Sequence, residues 1–166
     1  DWPELKEMAL TAERIGLDSI WLGDHLMYRY EDGRSPRGPF EAWSTMSALA
    51  AVTERVQIGP LVAGLGFHTP PMIAKKAATI DRISGGRFIL GIGSGWNEAE
   101  YRGFGYPFDH RASRFAESLA IILELFATGA CDFHGDWYDI DGALLFPKPV
   151  QPGGPPLMLG SFGPRM

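Results

Sequence analysis

One cysteine, Cys131, stands among 166 residues, so neither an internal disulfide nor a cysteine-based metal cluster can form. No apolar run approaches the roughly 20 residues of a membrane span. The first residues lack the basic-then-apolar order of a secretory leader. The 15 Lys and Arg are outnumbered by 20 Asp and Glu and gather in no cluster, which argues against nucleic acid as a partner. Internal repeats and low-complexity tracts are missing as well. What is left is an ordinary globular composition, 45% hydrophobic and 21% charged with net charge −5. The expectation is a cytoplasmic protein that binds neither membrane nor nucleic acid.

What is there is an alternation. Leu5, Met8, Ala9, Ala12 and Ile15 recur at helical spacing over 3–16, and Gly16 suits the stop. Ser19-Ile20-Trp21-Leu22 reads as a short strand. A long loop, 26–40, carries two Gly, two Pro and five charges. A helix follows over 41–53, then a strand from Arg55 to Val62, broken at Gly59-Pro60. Further helices are expected at about 70–84 and 111–127, with a strand over 87–93 between them. Residues 131–146 read as a hairpin, and the five prolines of 147–156 as an extended connector leading to a last strand over 156–160.

Short continuous apolar strands between amphipathic helices indicate an α/β fold with a parallel sheet. Right-handed crossovers then bring every strand-to-helix loop to one face. A doubly wound sheet and a (β/α)8 barrel share this pattern. In a dinucleotide-binding turn, the third glycine after Gly91 and Gly93 would fall at Trp96. No helix is expected to close over that turn, and no strand ending in an acid follows. P-loop, H-E-x-x-H and G-x-S-x-G patterns are missing. A barrel is favoured by elimination.

Chemistry in either fold collects at the C-terminal strand ends. Four are readable: Gly23-Asp24-His25, Leu61-Val62-Ala63-Gly64, Gly93-Ser94-Gly95-Trp96-Asn97 and Gly160-Ser161-Phe162. Glycine there lets backbone approach a flat or phosphorylated ligand and exposes N–H donors, which suggests a cofactor more than a metal. His25 stands between two readings, a proton carrier and a rim residue with a satisfied hydrogen bond. Asp24 falls on the opposite face of the strand, so the two form no simple dyad. Pro60 removes a ladder donor from a buried strand and marks either a bulge or a local irregularity. His68, His110 and His134 read as structural or solvated. Trp96 and Tyr101 suit either a pocket wall or the core. The 26–40 loop suits a lid slightly better than a solvated surface.

Several stretches together resemble the bacterial luciferase-like family of flavin-dependent enzymes. They are Gly16 to Trp21 with Asp24-His25, Ala77 to Phe88, Leu90 to Glu98, and Pro147-Lys148-Pro149-Val150-Gln151. The likeness spans the chain, is most specific from Thr79 to Asn97, and is nearest the branch that uses the deazaflavin coenzyme F420. It implies a (β/α)8 barrel with the cofactor ring in its mouth, His25 handling a proton beside it, and Asp24 among the cofactor contacts. It implies a cis peptide at Leu61-Val62 backing the ring. It implies contacts to the ring or its chain from Ser94, Gly95 and Asn97, and backbone donors at Gly160 and Ser161. The activity implied is hydride transfer between coenzyme F420 and a small organic substrate. A reduced-FMN, O2-dependent monooxygenase is the alternative, and a barrel without turnover a second. Relatives that dimerise imply a homodimer.

A complete barrel needs about 250 residues. Against that length, residues 1–166 read as a partial barrel holding the second to fifth strands, part of a longer gene product, with 131–156 inserted as hairpin and connector.

Overall fold

The computed structural model describes residues 1–30 and 32–160. Helix α1, Trp2–Arg14, begins with the Asp1 carboxylate accepting the Glu4 N–H at 3.0 Å. Strand β1, Ser19–Leu22, pairs in parallel with β2, Gln57–Pro60, in the register Ser19 to Gln57 through Leu22 to Pro60. Between them runs α2, Ala42–Val52, capped by the Glu41 carboxylate on the N–H groups of Trp43 and Ser44.

Pro60 decides what happens next. Ile58 makes one parallel bridge to Phe88. The following rung needs an N–H on residue 60 aimed at the Ile89 carbonyl, and proline has none. The chain leaves β2 through the cis peptide Leu61-Val62 and resumes as β3, Ala63–Gly64. The interruption expected at Gly59-Pro60 therefore lies one step later. Pro60 keeps its place opposite Leu22, and the Leu61 N–H closes that ladder on the Leu22 carbonyl at 2.8 Å.

Helix α3, Pro70–Ser84, stops at Gly85 in the left-handed region, φ 67°. Strand β4, Leu90–Gly93, is shorter than the expected 87–93. It pairs in parallel with β3 on one side and with β7, Leu157–Leu159, on the other. A helix that sequence reasoning excluded, α4 over Glu98–Phe104, closes directly over the glycine-rich turn after β4. The core gathers Ile58, Leu90 and Ile92 of the strands, Met46 and Leu49 of α2, and Ile73, Ala77 and Ile80 of α3. Ile121, Ile122 and Leu125 of α5, Arg111–Thr128, complete it.

Buried polar groups tie these layers. Asp81, fully buried in α3, accepts the N–H groups of Val150 at 2.7 Å and Gln151 at 3.0 Å, and the Gln151 amide at 2.7 Å. The Arg87 guanidinium donates to the carbonyls of Ala50, Thr53, Val56 and Ser84. Strands β5, Ala130–His134, and β6, Asp139–Leu144, form an antiparallel hairpin apart from the parallel strands. Its turn is held by Glu117 of α5, which accepts the N–H groups of residues 136, 137 and 138. Among the described residues no helix is long and apolar enough to cross a membrane.

Candidate active site

The parallel strands end on one side, and there a cavity of about 590 Å³ opens. Asp24 and His25 reach it from the turn after β1, and Leu61 and Val62 from the break after β2. Ser94 and Gly95 enter after β4, and Gly160 after β7. The structure thus brings together seven of the sequence-predicted residues. Asn97 is not among the cavity's lining. Its side chain caps α4, accepting the Ala99 N–H at 3.3 Å. Ser161 lies outside the described residues.

His25 is held from behind. Its Nδ1 is 3.0 Å and 3.1 Å from the two oxygens of Glu100, a side chain only 1% exposed. The same carboxylate accepts the Leu26 N–H at 2.7 Å and the Met27 N–H at 3.3 Å. A carboxylate only accepts, so Nδ1 carries a proton, and among the described residues nothing bonds Nε2. Tyr28, from the 26–40 loop, lies 5.0 Å from the imidazole centroid, and Trp96 lies edge-on at 6.1 Å. Trp96 is exposed at the cavity, whereas Tyr101 belongs to the core.

Asp24 bonds elsewhere. Its Oδ2 accepts the Gly64 N–H at 3.1 Å and sits 3.1 Å from His68 Nε2. Both residues line one cavity from the turn after β1, so they do not part to opposite faces as expected, yet each takes its own partner, His68 for Asp24 and Glu100 for His25. His68 is structural in the sense that it backs Asp24. His110 stacks on Trp137 at 4.4 Å, and His134 pairs with Asp139 on the surface, a bond that raises its pKa.

Gly95 has φ 73°, and a Cβ there would run into the Tyr101 hydroxyl. That hydroxyl donates to the Ser94 carbonyl at 2.8 Å, and burial pushes its pKa up to about 12. The guanidinium of Arg111 lines the same wall. It donates to the Gly95 carbonyl at 2.6 Å and lies over the Phe108 ring at 4.2 Å. Cys131 is buried, and burial together with a bond to Glu124 pushes its thiol up to about 11, far from a thiolate nucleophile. Among the described residues no cluster of His, Cys, Asp or Glu could hold a metal ion.

Glu100 and Arg111 were not legible as site residues. With Asn97 as the cap of α4, Glu100 stands where the acid of a capping box folds back on the cap residue. Here the acid reaches across to the His25 turn instead. The usable signal was an acid one turn into a helix that leaves a glycine-rich strand end.

The sequence pattern of the luciferase-like monooxygenase family matches residues 1–166. An F420-dependent glucose-6-phosphate dehydrogenase of Amycolatopsis mediterranei (strain U-32) is 40% identical over 166 residues, covering 97% of this chain and 48% of the relative. The crystal structure of the monooxygenase RslO1 from Streptomyces bottropensis superposes with a TM-score of 0.82 at 25% identity, over 95% of this chain and 46% of that one. An F420-dependent secondary alcohol dehydrogenase in complex with an F420-acetone adduct gives 0.81 at 26% identity, over 95% and 48%. The chain spans about half the length of the curated relatives it matches.

Proposed function

The chain belongs to the luciferase-like monooxygenase family, and on that premise we propose that the full-length protein is an oxidoreductase moving a hydride between coenzyme F420 and a small organic substrate. The observation that carries this reading is His25 at the strand-end cavity, oriented by a buried Glu100 with Nε2 left free. The dehydrogenase likeness at 40% identity supports the choice of cofactor.

The cavity's residues fit a flat ring. Its volume lies within the range of small-molecule sites. Val62 packs so closely on Gly93 and Gly160 that a Cβ on either would meet its methyls at 2.8 or 2.7 Å. That wall is backbone and methyl groups, which suits the face of a planar heterocycle. Ser94, Gly95 and Gly160 line it beside the polar pair Asp24 and His25, and we assign these residues with Leu61 and Val62 to the cofactor's binding site.

When bound, the deazaflavin supplies the carbon that accepts or returns the hydride. The protein's residues do the rest. His25 Nε2 takes a proton from the substrate's hydroxyl as the hydride leaves, and returns it in reverse. Glu100 fixes the tautomer that makes this possible and stabilises the imidazolium that results.

We propose further that the full-length fold is a (β/α)8 barrel, with these strands as its second to fifth. Supporting this, an apolar groove of about 620 Å³ lies beside β1, which among the described residues pairs on one side only, with Leu5, Ala9, Ile20 and Leu49 among its lining. A strand laid there would cover the edge and the groove together. The hairpin and connector, 131–156, are read as an insertion, and the location as cytoplasmic.

A second reading, a reduced-FMN monooxygenase, is favoured by the likeness to RslO1. Absorbance titration of the full-length protein with coenzyme F420 and with FMN separates the two. Saturable F420 binding is expected. Saturable binding of FMN alone, with O2 uptake under a flavin reductase, would overturn the first reading in favour of the second.

A further inference from the structure

A second cavity, of about 390 Å³, lies beside Phe67, which lines the active-site cavity as well. That volume is within the range of small-molecule sites. Four parts of the chain bring hydrogen-bond donors to it. Lys76 comes from α3, Arg114 from α5, Tyr106 from the loop after α4, and Tyr138 from the turn before β6. Phe67 and Met72 supply apolar wall.

A lysine on a helix surface ordinarily extends its ammonium into water and keeps the freedom of its stem. Lys76 is half-buried instead. Its Nζ lies 3.2 Å from Nδ1 of His68 and 5.3 Å from the centre of the Trp43 ring, whose face attracts a cation. Among the described residues it makes no ion pair. Its charge reaches Glu41, but the oxygens of that acid cap α2, on the N–H groups of Trp43 at 2.9 Å and Ser44 at 2.7 Å. Arg114 is committed on one side only. Its Nη2 donates to the Asp109 carboxylate at 3.1 Å and its Nε to the Asp109 carbonyl at 3.2 Å, while Trp137 covers the guanidinium at 4.5 Å. Among the described residues nothing bonds Nη1, nor either of the two tyrosine hydroxyls.

We infer that this outer cavity binds a small organic anion, an oxyanion head on an apolar body, at a site separate from the cofactor's. The head, a carboxylate or a phosphate, takes the remaining N–H groups of Lys76 and Arg114 together with the phenol hydroxyls. Bonds between charged partners of this kind are about twice as strong as neutral ones. The body lies against Phe67 and Met72. An occupant touches Phe67, which also lines the active-site cavity, and His68, which backs Asp24. The site thus adjoins the chemistry without entering it, and it stands whether or not the hydride-transfer reading does.

Met72 reports on this cavity alone, since it does not line the active-site cavity. The full-length, cofactor-free protein labelled with 13C-methyl methionine is titrated with benzoate, with phenyl phosphate and with inorganic phosphate, the Met72 signal being assigned by Met72→Leu. A saturable shift of that signal with benzoate or phenyl phosphate is expected, and the tighter of the two identifies the head group. Lys76→Met should weaken this binding about tenfold or more. Tyr106→Phe keeps the ring and removes one donor, and should weaken it several-fold. It carries the test alone should Lys76→Met fail to fold. No shift with either organic probe overturns the inference, and so does a shift that neither substitution weakens. Inorganic phosphate bound as tightly as phenyl phosphate overturns the apolar subsite.

Discussion

Asp24 and His25 line one cavity from the turn after β1 but take different partners. The sequence could exclude a dyad between them but could not name Glu100 or His68. Those partners lie 75 and 44 residues away, across contacts that no local pattern encodes. Replacing Glu100 by Gln puts an amide donor where three N–H groups converge. We expect turnover to fall by about 10- to 100-fold with KM nearly constant, measured by steady-state kinetics. Equal kcat in wild type and variant would mean His25 needs no such support. Tyr101 allows a separate test. Burial raises its hydroxyl from 10 to about 12. An acid whose folded pKa is raised stays protonated in the folded chain while the unfolded chain loses its proton. Stability from this group is therefore intact below pH 10 and is lost as pH rises from 10 to 12. Urea unfolding should show a shallower alkaline decline in Tyr101→Phe than in the wild type.

At the scale of elements, the strands and long helices were readable because their apolar spacing is a local property. Strand Ser19–Leu22 and helix Pro70–Ser84 stand where the periodicity puts them. Helix Glu98–Phe104 did not announce itself, being seven residues long with buried Tyr101 and Glu100 on its inner face. The strand break moved to Leu61-Val62 because Pro60 sacrifices a rung only toward β4, while its β1 side needs no donor from it. Two of the most family-like stretches turn out to touch each other. Asp81, in one, accepts three N–H groups from Val150 and Gln151, in the other. That part of the likeness therefore holds the fold together. Asp81→Ala leaves three donors without their acceptor and should cost about 3 kcal/mol in urea denaturation of the full-length protein. A loss under about 0.5 kcal/mol would show that the connector is held by other contacts.

At the scale of the whole molecule, among the described residues β1 and β7 each keep one side unpaired, and these strands make an arc whose ends surround the cavity. Unpaired parallel edges beside an apolar groove invite pairing with another chain. Residues 1–166 expressed alone should form large, heterogeneous aggregates in light scattering, and the full-length protein should not. A monomeric, cooperatively unfolding 166-residue chain would contradict the barrel reading. The central claim concerns His25. Anaerobic mixing of the full-length enzyme with coenzyme F420 and a panel of secondary alcohols and sugar phosphates, followed by deazaflavin absorbance, tests it most directly. The account predicts substrate-dependent bleaching in the wild type, and in His25→Ala a rate lower by about 10²–10⁴ with F420 still bound. Bleaching at an equal rate in both proteins would contradict it.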